Sequence, residues 1–196
     1  TYVFAEYGKT DGKFEGYAEI YCVDIGGRRS IKKKNFRTKP SKETFKKSGK
    51  EVYEELLKKA GWTLKKYGLQ PASPDNLLFT REIPSSTGEI VFKDFEGSTV
   101  EKAVYYHIKL IKNVEGNDRE KRSSFFITLE KKDENGNLIS RNIVGNPDIK
   151  RKGVTGYTIN RIFSDKSGRS LVFVIEKQIE DETGTCVRYM VETIRL

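Results

Sequence analysis

Apolar and polar residues alternate along much of this chain with a period of two. Phe125, Ile127 and Leu129 interleave with Phe126, Thr128 and Glu130, the pattern of a sheet with one core face and one wet face. Stretches rich in β-branched and aromatic residues, bounded by turn residues, predict strands over 77–81, 89–95, 102–111, 123–131, 138–143, 157–163, 170–178 and 185–194. The run "LVFVI" at 171–175 does not alternate, so its strand is expected to be central and covered on both faces. "DENGNL" and "DKSGRS" read as turns, and "DETGT" as the link of a closing hairpin. No crossover helix is visible after residue 70, so neighbouring strands should be antiparallel.

The N-terminal part has a different rhythm. Tyr2–Tyr7 and Tyr17–Ile25 predict two strands around an Asp11-Gly12 turn, and Ile31–Arg37 a third. The period then lengthens: Phe45, Val52, Leu56, Ala60 and Leu64 recur at helical spacing. Pro40-Ser41 reads as the entry and N-cap, and Gly68 as the stop, with Leu69 and Pro71 beyond. These signals predict one amphipathic helix over about 41–67. Gly49 and Gly61 each weaken it by about 1 kcal/mol, so it needs a core to lie on. The expected fold class is α+β: mainly antiparallel sheet, curved into a barrel or sandwich, with one long helix. Residues 1–196 are expected to form a single domain. A β-propeller would leave the helix no place.

Charge changes the picture more than composition does. The chain is formally +9, but residues 28–50 carry eleven basic residues against one acidic. That segment is +10, so the rest of the chain sums to −1. A clustered charge is a local field in need of a partner. Arg28, Arg29, Lys32, Lys34, Lys42, Lys46 and Lys50 are the candidate anion- or partner-binding residues. Lys42, Lys46 and Lys50 would share one face at the start of the expected helix, where the backbone dipole also favours an anion. The bland alternative is a solvated lysine-rich face. Lysine outnumbers arginine eight to three in the segment, which suits diffuse attraction better than base reading. Nucleic acid is therefore an unfavoured partner.

Candidate chemistry is sparse. His107, the only histidine, shares a strand face with Tyr105 and Lys109, and reads as a surface residue rather than a general base. No nucleophile elbow, phosphate loop or zinc-protease pattern occurs. Two cysteines and one histidine are too few soft ligands for structural zinc. "DENGN" lacks the last glutamate of a calcium loop. Neither a metal, a cofactor nor a catalytic residue is assigned. Cys22 and Cys186 could form one disulfide or remain separate buried thiols. No apolar run approaches the roughly 20 residues of a membrane span. The opening acidic set (Glu6, Asp11, Glu15, Glu19, Asp24) admits two arrangements. Hairpin folding could bring Glu6 near Glu19 to hold a proton or cation, or the acids could neutralise the basic neighbour. The second is preferred.

The block "FAEYG…DG…YAEIYCVDI", Phe4 to Ile25, resembles the opening of a family of predicted secreted bacterial proteins whose shared domain has no assigned function. "GYTINRIF…LVFVIEKQIED…VRYMVETIRL" is similar to that family's closing region. The resemblance implies export by a signal peptide and residence in the periplasm or beyond; the chain opens at Thr1 with no such segment visible. It implies no activity and transfers no catalytic residue, and the basic run lies outside the resembling motif. The resulting expectation is a secreted or periplasmic, non-catalytic binding module. Its basic surface would meet an anionic envelope polymer, a lipid headgroup or a protein. The alternative is an enzyme with a pocket built from Glu6, Tyr17, Glu19 or His107.

Overall fold

The computed structural model describes residues 2–10, 13–23, 34–66, 68, 72–81, 88–116, 121–181 and 184–196. Arg28, Arg29, Lys32 and the Asp11-Gly12 turn lie outside these described residues. The chain divides into two compact units: Thr1–Ser73 with Glu182–Arg188, and Pro74–Asp181 with Tyr189–Leu196.

The first unit holds a three-stranded antiparallel sheet in the order β1 (Tyr2–Lys9), β2 (Gly16–Val23), β3 (Lys34–Thr38). One helix, α1 (Gly49–Lys65), packs on it. Val52, Leu56 and Ala60 meet Ala18 and Ile20 in a buried cluster, with Leu64, Tyr53 and Phe36 against it. Burial of each large side chain contributes about 1.5–3 kcal/mol, which offsets the glycine cost inside α1.

The helix starts later than Pro40-Ser41 suggests. Ser41 opens only a single 3-10 turn, Lys42–Thr44, where the Thr44 hydroxyl accepts from Ser41 N and donates to Ser41 O, both at 3.0 Å. The chain leaves helical geometry at Phe45 (ψ 134) and Lys46 (φ 64). It restarts at Ser48, whose side chain accepts from Glu51 N at 3.1 Å and whose own N–H donates to Glu51 Oε2 at 2.6 Å. This reciprocal box satisfies two end donors and outcompetes Ser41. Lys42 and Lys46 therefore precede the helix and share no helical face with Lys50, and Phe45 is 51% exposed instead of lying on the apolar stripe. At the other end α1 closes at Lys65, and Gly68, at φ 55, donates to Lys65 O.

The second unit contains β4 (Leu77–Thr80), β5 (Glu89–Lys93), β6 (Val104–Glu115), β7 (Arg122–Asp133), β8 (Leu138–Val144), β9 (Arg151–Lys152), β10 (Val154–Ser164) and β11 (Ser170–Asp181). The last strand, β12 (Gly184–Arg195), contributes its residues from Tyr189 onward to this unit. One sheet runs β5-β6-β7-β8, with β9 also on β7; the other runs β12-β11-β10-β4. The β1–β2, β2–β3, β4–β10, β5–β6, β6–β7, β7–β8, β7–β9 and β10–β11 pairings are all antiparallel. Both sheets contribute to one apolar cluster, including Ile108, Phe125, Ile127 and Leu129 from one and Ile162, Leu171, Phe173 and Ile175 from the other. Neither sheet closes on itself among the described strands, so the architecture is layered rather than a barrel. All five residues of "LVFVI" are buried in β11, between β12 and β10. Within this core the Ser123 hydroxyl donates to Val154 O at 2.6 Å, and Tyr157 OH donates to Ser123 O at 3.2 Å.

Candidate functional site

The β1–β2 register sets Glu6 directly opposite Glu19, so the hairpin does bring the two carboxylates together. The cation that answers them is Arg188. Its Nε donates to Glu6 Oε1 at 2.6 Å and its Nη2 lies 3.5 Å from Glu19 Oε1. Its guanidinium sits 3.9 Å from the centre of the Tyr17 ring, a cation–π arrangement. Arg37, opposite Glu19 on β3, reaches the same Oε1 at 2.6 Å from the exposed side, and the Tyr21 hydroxyl donates to Glu19 Oε2. Glu6, Glu19 and Tyr17 are all buried.

The electrostatics follow from this packing. Burial works against the Arg188 charge, but the Glu6 hydrogen bond and the attraction of Glu6, Tyr17 and Glu19 outweigh it and raise the Arg188 pKa further. Burial pushes the Tyr17 phenol up, and Arg188 offsets this only in part. Two carboxylates face two guanidinium groups, so the cluster is balanced and its carboxylates are engaged as ion-pair acceptors. It fastens residues 184–188 to the hairpin. Arg188 was not singled out from the sequence. Its one signal is phase: it falls on the same strand face as Cys186 and Met190, an arginine on the less exposed side of a strand. Cys22 is buried and Cys186 half-buried, and both carry thiols.

A second feature forms at one end of the hairpin. Glu15 bridges Phe45, and Lys46 N donates to Phe14 O at 3.3 Å, which holds the 13–15 and 45–46 segments side by side. Phe14 is 61% exposed and, like Lys46, has a positive φ (52°). Such backbone costs of order 1–3 kcal/mol per residue. Lys42, Lys46 and Lys50 are exposed; the Lys46 ammonium lies 5.6 Å from the Phe45 ring centre. Lys47 instead pairs with Glu55 at 2.7 Å. Lys34 opens β3, the next strand in the same basic run.

His107 belongs to the other unit, on β6, with its Nδ1 3.2 Å from Glu89 Oε1 and Lys109 at 3.6 Å from the same oxygen. It is part of a partly exposed polar face of that unit, whereas Glu6, Tyr17 and Glu19 belong to the first unit. The same unit has a cleft of ≈ 260 Å³ lined by Leu78, Phe92, Tyr106 and the carboxylates of Asp94 and Glu96. Asp94 accepts from Gly97 N at 3.0 Å and faces the Lys131 ammonium at 2.8 Å. Burial lowers the Lys131 pKa, but its hydrogen bonds to Asp94 and Tyr106 more than reverse that. The pair closes the turn after β5 in charge-neutral form.

The whole chain from residue 3 to residue 195 matches the family "Predicted secreted protein (DUF2259)". The protein belongs to that family. No curated protein and no solved structure matches it. Among the described residues no helix is long and apolar enough to cross a membrane.

Proposed function

Starting from membership of a predicted secreted family, we propose that this protein is a non-catalytic binding module. It works in the periplasm or beyond and docks on an anionic lipid surface through the tip formed by Phe14, Phe45 and the neighbouring lysines. The observation that carries this reading is that the Glu15–Phe45 bridge and the Lys46 N–H to Phe14 O bond set the 14–15 and 45–46 backbones side by side, with Phe14 and Phe45 both exposed. Apolar side chains exposed singly are ordinary, whereas apolar rings grouped within a polar rim mark interaction sites. Rings beside ammonium groups suit the headgroup boundary of a bilayer, where apolar area and attraction to anionic lipid add. Each lysine near such a surface contributes about 1 kcal/mol, and Lys42, Lys46 and Lys50 spend none of that charge on an ion pair among the described residues. Arg28, Arg29, Lys32 and Lys34 belong to the same basic run and would extend the field. The hairpin enzyme has less support, because Glu6 and Glu19 are matched by Arg188 and Arg37.

Vesicle sedimentation tests the proposal. The protein should pellet with vesicles of phosphatidylglycerol and phosphatidylcholine, remain in solution with phosphatidylcholine alone, and be released by salt. Replacing Lys42, Lys46 and Lys50 with Gln should abolish pelleting, and Phe14→Ser with Phe45→Ser should weaken it at every salt concentration. Equal binding to neutral vesicles, or retention on a soluble polyanion without any vesicle binding, would overturn the lipid assignment.

A further inference from the structure

In the second unit β4 is the edge strand of one sheet and β5 an edge strand of the other, and residues of both line one groove. Between these edges runs an open groove of ≈ 330 Å³. Its apolar wall is shared by both sheets. Phe79 and Ile159 come from the β4–β10 side, and Ile90, Ile108 and Leu110 from the β5–β6 side. Ile108 and Ile159 are themselves core residues, and Phe79, Ile90 and Leu110 pack against that core. Among the described residues the groove is thus an extension of the hydrophobic interior toward solvent, where two sheet edges leave it incompletely covered.

Its charged groups have one sign among the described residues. Arg81 and Lys112 line the groove, and no Asp or Glu is among the described lining residues. Neither cation forms an ion pair with a described residue, in contrast to Lys109, Lys131 and Arg141 on the same sheet, which all face carboxylates. Arg81 is anchored through its backbone, its N–H donating to Asn160 O at 2.9 Å. Arg81 is half-buried and Lys112 exposed.

From an apolar floor with two cations that pair with no carboxylate among the described residues, we infer that this groove binds a single-chain fatty carboxylate. The acyl chain lies between the sheet edges, and the carboxylate meets Arg81 and Lys112. The volume is at the small end for ligand sites, which suits one medium-length chain and excludes a two-chain lipid. The planar guanidinium fork of Arg81 matches a carboxylate, with Lys112 acting as a point charge. This site is in the other unit from the Phe14–Phe45 tip and stands independently of the membrane-docking proposal.

Titration calorimetry on the full chain tests it, with dodecanoate as the probe and dodecanol as the headgroup control. Dodecanoate should bind saturably at one site, and dodecanol at least about tenfold more weakly, the size expected from about 1.4 kcal/mol of charge-assisted bonding. Arg81→Gln with Lys112→Gln should remove that preference and leave unfolding unchanged. Gly88→Trp should abolish binding, because Gly88 lines the groove and a Cβ there meets open space. The triple glutamine variant at Lys42, Lys46 and Lys50 should bind dodecanoate normally, which separates this site from vesicle docking. Equal affinity for dodecanol, tighter binding of dodecyl phosphate, or unchanged binding by the Arg81/Lys112 variant would overturn the inference.

Discussion

Arg188 Nε donates to Glu6 Oε1 at 2.6 Å, across 182 positions of sequence. The contact ties the near end of the last strand to the first hairpin in a buried setting, where a charge without its partner is expensive. A buried pair need not stabilise more than an apolar replacement would, but removing one partner is strongly destabilising.

Arg188→Ala should therefore lower unfolding free energy by about 3–5 kcal/mol, measured by urea denaturation. Arg188→Lys should recover only part of that, because an ammonium cannot serve Glu6 and Glu19 with the fork geometry of arginine. A loss below about 1 kcal/mol for Arg188→Ala, the size of an exposed pair, would show that the cluster does not fasten this segment.

Two glycines in α1 should respond in opposite directions. At Gly61 a Cβ meets nothing within 4 Å, so Gly61→Ala should stabilise by about 1 kcal/mol through helix propensity. At Gly49 a Cβ would lie 2.5 Å from Gly8 N and 2.6 Å from Gly8 Cα, against strand backbone that cannot step aside. Gly49→Ala should destabilise despite the same propensity gain. Thermal unfolding of both variants checks the pair, and a higher melting temperature for Gly49→Ala would contradict this packing.

Acid should loosen the β7–β8 hairpin. The Asp133 carboxylate accepts from Asn137 Nδ2 and Asn137 N at 2.8 Å each, and from Asn135 N at 3.0 Å. The Asn137 side-chain bond, followed by the Asn137 backbone bond, holds its pKa below the ordinary 3.8. A carboxylate with a folded pKa below its unfolded one adds stability that is complete above the unfolded value. That stability fades as pH falls through the folded value. Urea midpoints should thus separate wild type from Asp133→Asn at neutral pH and converge below about pH 4. A difference constant across that range would rule out the charge as its source. Glu51, Glu115 and Glu130, lowered by hydrogen bonds from Ser48, Lys150 and Lys132 respectively, add to the same acid limb.

Much of the secondary structure is legible in the chain because it is a local matter. Period-two runs such as Phe125, Ile127, Leu129 became β7, and the unbroken "LVFVI" became a strand with neighbours on both sides. Val52, Leu56, Ala60 and Leu64 identify the buried stripe of α1. Its true start was also legible, since Ser48 and Glu51 are spaced as a capping box; the Pro40-Ser41 signal obscured it. β9, only two residues long, offers no period to detect.

The sequence by itself determined the strands, the helix stripe, the concentration of basic charge and the family resemblance, because each is written in residues near one another. Only the tertiary structure decided that Arg188 answers Glu6 and Glu19, that the 14–15 backbone pairs with 45–46, and that residues of two sheet edges share a groove with Arg81 and Lys112. Those relationships depend on strand register and sheet order. Contacts over such separations are selected by the packing of the whole core, which no local pattern encodes.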